Sequence, residues 1–141
     1  MTAPQSIPEL VALAQKTAQD SGDDRAAIEA AAIDIFATFE ARMQHHFKRG
    51  PFSRKLKALL VEAGESELAD RVYQYYLAIN VLKHGKGASH RELLKVKNAI
   101  VAVKPEANEE GESLIDVSAS GFFDGLSAAI LEAHDFLQNE A

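Results

Sequence analysis

Apolar residues recur every third or fourth position along most of this 141-residue chain. Spacing of this kind puts apolar side chains on one face of an α-helix, and successive helices with such faces bury them against one another. The fold class expected is therefore mainly α, a bundle of four to six helices. The length fits one domain with a sizeable core, so residues 1–141 are predicted to form a single helical-bundle domain.

Glycine, proline and capping residues divide the pattern into segments. Helices are predicted over residues 7–20, 24–48, 52–63, 66–84 and 120–139, with a short fifth helix starting at Ser89. Ser89 and Glu92 have the spacing of a capping box, which predicts that Ser89 caps this helix. Residues 99–104 and 114–118 are apolar and rich in β-branched residues on either side of an acidic loop. They are candidates for a small β-hairpin near residues 97–118.

Composition excludes several classes of function. The chain has no cysteine, so it forms no disulfide and has neither thiol catalysis nor a cysteine–zinc site. The first residues lack a basic segment followed by an apolar one, and no apolar run approaches the roughly 20 residues of a membrane span. We therefore expect a cytoplasmic protein without a secretory signal or a membrane segment.

The net charge of −6 hides a strong segregation of charge along the chain. Residues 42–61 and 83–104, named here the first and second basic blocks, hold 12 of the 15 basic residues and 1 of the 21 acidic ones. If the two blocks meet in space, an acidic protein has one positive surface that attracts phosphates. The alternative is that these lysines and arginines are only the solvated faces of two amphipathic helices.

Polar and titratable side chains collect at the end of the predicted helix 66–84. Tyr73, Tyr76, Asn80, Lys83 and His84 fall within roughly 100° of arc on a helical wheel. Asn80 and His84 are one turn apart, so both can act on one ligand, and a histidine can move a proton near neutral pH. The structural alternative is that the helix dipole favours Lys83 and His84 in the last turn.

This segment resembles a motif of a known family. The segment resembles the Arg-Asn-x-x-x-His motif of HEPN domains, with Asn80 and His84 at the matching positions and Gly85 after them. HEPN domains are small helical bundles found in many bacterial RNases, toxins and defence proteins. The stretch 52–59 resembles the helix before that motif, and the resemblance covers about residues 28–90. It implies a homodimer with the motif helices facing each other, and RNase chemistry that uses the motif arginine with the histidine. Ile79 stands at the arginine position, so the resemblance implies a degenerate nuclease site.

These observations lead to one first hypothesis and two alternatives. The first is a HEPN-like protein that binds RNA or another phosphate-bearing ligand. Its candidate ligand-binding residues are Arg54, Lys57, Tyr76, Lys83, Lys86 and Arg91. One alternative is an active, metal-independent RNase with Asn80 and His84 as catalytic residues. The other is a regulatory, antitoxin-like module that binds a protein partner through its apolar helix faces.

No metal or other cofactor is expected. The histidines and glutamates lack the spacing of a helical metal site. The glycine-containing segment 85–89 lacks the residue order of a P-loop, so it is better explained as punctuation between two helices.

Overall fold

Six α-helices account for most of the computed structural model, which describes residues 6–22, 24–44, 52–96, 99–105, 114–117 and 121–139. The helices are α1 (Ile7–Asp20), α2 (Arg25–Met43), α3 (Phe52–Glu62), α4 (Ser66–His84), α5 (Ala88–Leu94) and α6 (Phe122–Asn139). The helical bundle predicted from the apolar spacing is confirmed. The predicted second helix ran to residue 48, and residues 45–50 lie outside the described part of the chain.

Local side-chain chemistry sets where the first two helices begin. The Ser6 hydroxyl accepts a hydrogen bond from the Glu9 N–H at 3.3 Å, and the Asp24 carboxylate accepts one from the Ala27 N–H at 3.2 Å. Both contacts satisfy N–H groups that have no partner within the helix. Gly64 follows α3 with φ of +83°, a conformation that glycine adopts without steric cost.

Helix α4 lies at the centre of the bundle, packed against α2, α3, α5 and α6, while α1 packs against α2 and α6. Three phenylalanine rings fill the core between α2 and α3. Phe39 makes edge-to-face contacts with Phe36 at 6.1 Å and with Phe52 at 5.5 Å between ring centroids. This central position leaves α4 a limited exposed stripe, bordered by α3 and α5.

The predicted β-hairpin is not seen, and the described residues contain no strand. The two segments meet in a single antiparallel bridge between Val103 and Ile115. Side chains of α4 and α5 form hydrogen bonds with backbone groups on either side of this bridge. The Ile100 N–H donates to Gln74 Oε1 at 2.9 Å, and His90 Nε2 donates to the Lys104 carbonyl oxygen at 2.7 Å. These two backbone groups are therefore satisfied by α4 and α5 rather than by pairing between the two segments.

None of the helices in the described ranges combines the length and the apolar character needed to cross a lipid bilayer.

Candidate nucleic-acid interface

The C-terminal end of α4 presents the residues of the sequence motif. Lys83 and His84 are exposed, and Asn80 is half-buried one turn earlier. Gly85 follows with φ of +72°, and its N–H donates to the Val81 carbonyl oxygen at 2.8 Å, which closes the helix. The chain then turns into α5, so the motif side chains lie beside a second short helix.

Asn80 joins α4 to α5. Its Nδ2 donates to the Ser89 hydroxyl at 3.1 Å. The prediction that Ser89 caps α5 is therefore wrong, since the helix begins one residue earlier, at Ala88, and the residue before it, Gly87, makes no side-chain cap. The Ser89 hydroxyl binds the asparagine instead of a backbone N–H. Asn80 thus has a structural role in holding the two helices together.

The position that would carry the motif arginine faces the core. Ile79 is only 3% exposed and packs inside the bundle. Arg71 is not placed to substitute for it, because His84 lies thirteen positions further along the helix, about 20 Å along the axis. Both terminal nitrogens of Arg71 bind the Glu132 carboxylate on α6, at 2.7 and 2.9 Å.

We expect this Arg71–Glu132 ion pair to contribute at most about 1 kcal/mol, because half of the Glu132 side chain is exposed. The hydrogen bond from Arg71 lowers the pKa of Glu132 below its usual range. The contribution is therefore fully present above the ordinary glutamate pKa and is lost as pH falls through the lowered pKa of the folded state. In urea denaturation, Glu132→Gln should be less stable than the parent at pH 7 and equal to it in strong acid. A difference that grows on acidification would contradict this assignment.

A second part of the surface surrounds Tyr73, one side of which is covered by α3. Lys57 Nζ lies 3.9 Å from the centroid of the Tyr73 ring, a cation–π contact. Tyr76 stacks on the same ring, with 5.6 Å between centroids. The Tyr73 hydroxyl donates to Glu92 on α5 at 2.6 Å. One tyrosine of α4 therefore contacts both α3 and α5.

Tyr73 remains a neutral phenol at physiological pH. Burial and the hydrogen bond to the Glu92 carboxylate raise the pKa of Tyr73 to about 12. A neutral ring keeps its attraction for the Lys57 ammonium and adds no negative charge beside it. The Lys57 ammonium therefore lies on a neutral ring whose hydroxyl is bound to the Glu92 carboxylate.

An open cleft of about 530 Å³ lies between α3 and α4. This α3–α4 cleft is lined by Arg54, Lys57, Ala58, Val61, Glu62 and Tyr73. The predicted ligand residues Arg54 and Lys57 meet here, with Tyr76 stacked behind Tyr73. Lys83 lies ten residues beyond Tyr73, about 15 Å along the helix axis. The predicted site residues thus fall into two neighbouring groups rather than one.

The remaining predicted residues lie close to these two groups. Lys86 is exposed between α4 and α5, at the motif end of the surface. Arg91 is exposed on α5, next in sequence to the glutamate that binds Tyr73.

Sequence reasoning missed Glu40. Burial raises the pKa of this carboxyl, and the nearby Lys83 ammonium partly opposes the effect. A carboxylate of α2 therefore lies close to the motif end of α4. The burial of Glu40 could have been predicted from the sequence, because Glu40 lies four residues after Phe36 and three before Met43, on the buried face of α2.

No group of three or more histidine, aspartate or glutamate side chains within the described ranges is arranged to hold a metal ion. His90, one of the scattered histidines, is 3% exposed and is occupied by its hydrogen bond to the Lys104 carbonyl.

Comparison with known proteins adds no relative: no family model matches the chain, and neither the curated proteins nor the solved structures include a match.

Proposed function

We propose that this chain is a HEPN-like helical bundle that binds nucleic acid or another phosphate-bearing ligand, and that its nuclease site is degenerate. The observation that carries the proposal is the environment of Tyr73. Lys57 of the first basic block lies on its ring, and Glu92, the only acidic residue of the second block, accepts its hydroxyl hydrogen. The two basic blocks therefore adjoin at one side chain, which supports their sharing one surface, and the residue of the second block at this junction is its one acid.

Aromatic and cationic side chains on one surface are suited to a single strand of nucleic acid. Lysine and arginine attract the phosphates, and tyrosine rings offer stacking that tolerates any base. Binding through phosphates releases counterions, so affinity should fall linearly with salt on logarithmic axes, with a slope of about −0.7 per phosphate contact for single strands.

Three features support a degenerate rather than an active nuclease site. The motif arginine position is Ile79, which is buried. The amide of Asn80 is bound to Ser89. Arg71 is bound to Glu132 and lies far along the helix from His84. The resemblance also implies a homodimer, which stays a prediction.

Paired lysine variants test the binding proposal. Fluorescence anisotropy with a labelled single-stranded RNA, measured across a salt series, should show a slope shallower by about 0.7–1 for Lys57→Gln. Lys16→Gln makes the same change of charge at an exposed site on α1 and should leave both affinity and slope unchanged. Equal effects of the two variants would show that only total charge matters. RNA binding that persists unchanged in Lys83→Glu/Lys86→Glu would contradict the basic surface as a whole.

The same samples separate the alternative functions. An active RNase would cleave the RNA on a gel, and His84→Ala would abolish cleavage while leaving the melting temperature within a few degrees. Cleavage that survives His84→Ala would point to another site or to contamination. Absence of binding at low salt would favour the protein-interaction module.

A further inference from the structure

The α3–α4 cleft is an open surface depression, and its α3 residues are all exposed. Its volume of about 530 Å³ falls within the roughly 300–1,000 Å³ of such pockets. Five of its six lining residues come from one face of α3, at successive helical spacings from Arg54 to Glu62. The cleft is therefore as long as this face, about 12 Å along the helix axis.

Charge changes in a regular order along the cleft. Arg54 lies in the first turn of α3 and Lys57 at its middle, the apolar residues Ala58 and Val61 follow, and Glu62 lies at the C-terminal end. Among the described residues, neither Arg54 nor Lys57 forms a salt bridge. A ligand with one anionic end and one neutral, flat end matches this order, and Glu62 repels an anion placed the wrong way round.

The cationic end is organised before any ligand arrives. The Lys57 ammonium is held over the Tyr73 ring, and that ring is fixed by its stack with Tyr76 and its hydrogen bond to Glu92. A cation–π contact uses no conventional hydrogen bond of the ammonium, so its N–H groups remain able to donate to phosphate oxygens. Pre-organisation of this kind reduces the entropy lost on binding.

The apolar part of the cleft is open to solvent. Val61 is 49% exposed, beside the exposed Ala58. A flat aromatic base covers such a surface, but only when it is not paired within a duplex. The Glu62 carboxylate has the oxygens needed to accept a hydrogen bond from a ribose hydroxyl or an exocyclic amine.

We propose that the α3–α4 cleft binds one unpaired nucleotide unit, with its phosphate on Arg54 and Lys57 and its base against Val61. This inference rests on the proposed function and narrows its ligand to a nucleoside monophosphate unit. That unit occurs either free or within a single strand.

The cleft is tested by titrating the full chain with adenosine 5′-monophosphate and following the titration by ¹H–¹⁵N NMR. Saturable chemical-shift changes centred on α3 are expected. Adenosine and inorganic phosphate should each bind at least tenfold more weakly than the monophosphate. Val61→Glu should weaken binding of the monophosphate at least tenfold. Leu13→Glu is a matched control, because Leu13 on α1 is also 49% exposed, and it should stay within twofold of the parent. Inorganic phosphate binding as tightly as the monophosphate, equal affinity in both variants, or no saturable binding would each overturn the proposal.

A second measurement separates failure of this inference from failure of the proposed function. Val61→Glu should weaken the binding of single-stranded RNA at least threefold more than it weakens the binding of a duplex of the same sequence. Salt-dependent RNA binding that Val61→Glu leaves unchanged would overturn the cleft proposal and leave the basic surface standing. Saturable binding of the monophosphate without RNA binding would support the cleft as a site for the free nucleotide and would contradict the nucleic-acid function.

Discussion

Replacing Phe39 with alanine is expected to lower the free energy of unfolding by about 3–5 kcal/mol. The Phe39 side chain is fully buried, and its ring contacts both Phe36 and Phe52, which joins α2 to α3. The substitution removes apolar contacts, leaves a cavity and breaks two edge-to-face pairs at once. Urea denaturation followed by circular dichroism measures the loss.

Phe123→Ala is the control for this prediction. Phe123 lies on α6 and is only half-buried, so its truncation should cost clearly less than that of Phe39. A loss below about 1 kcal/mol for Phe39→Ala would contradict the account of the core.

Gly125→Ala is expected to destabilise the protein by about 1–3 kcal/mol, although alanine is the better helix former by about 1 kcal/mol. A Cβ atom at position 125 would overlap the Tyr75 hydroxyl. Tyr75 is buried, and its hydroxyl donates to the Phe122 carbonyl oxygen at 3.1 Å. Moving the ring away would leave that hydroxyl buried without a partner, which costs about 1–3 kcal/mol. The overlap therefore outweighs the gain in helix propensity.

The double variant Tyr75→Phe/Gly125→Ala identifies the cause. Without the hydroxyl, the nearest atom to the new Cβ is the ring Cζ at 3.3 Å, which needs only a small adjustment. In the Tyr75→Phe background, Gly125→Ala should therefore be neutral or slightly stabilising when unfolding free energies are compared. The same loss in both backgrounds would show that the contact with the hydroxyl is not responsible.

The helices could be predicted from the sequence because local rules decide them. The predicted bounds of α1 and α4 match the structure, since apolar periodicity and terminating residues such as Gly85, which follows α4, act within a few residues. The exposed stripe from Tyr73 to His84 follows from the same periodicity.

The features that could not be predicted from the sequence depend on contacts between residues far apart in the chain. Among the described residues the predicted hairpin is a single bridge, and Gln74 and His90 bind backbone groups beside it that lie 26 and 14 residues away. The capping prediction for Ser89 failed because Asn80 takes its hydroxyl. In α6, the buried ring is Phe122, and it packs on Tyr75. Spacing alone does not reveal such pairings.

The candidate site shows the same division. Arg54, Lys57 and Tyr76 could be selected from charge and helical position. The cation–π contact of Lys57 with Tyr73, and the cleft that both residues line, required the packing of α3 on α4. Val61 and Glu62 had no sequence signal beyond lying on one helix face with the two cations.

The most direct test of the central claim is the salt dependence of binding between the unmodified protein and a labelled single-stranded RNA, measured by anisotropy. The account predicts saturable binding whose logarithmic affinity falls linearly with the logarithm of salt concentration, with intact RNA recovered at the end. No binding at low salt would contradict it.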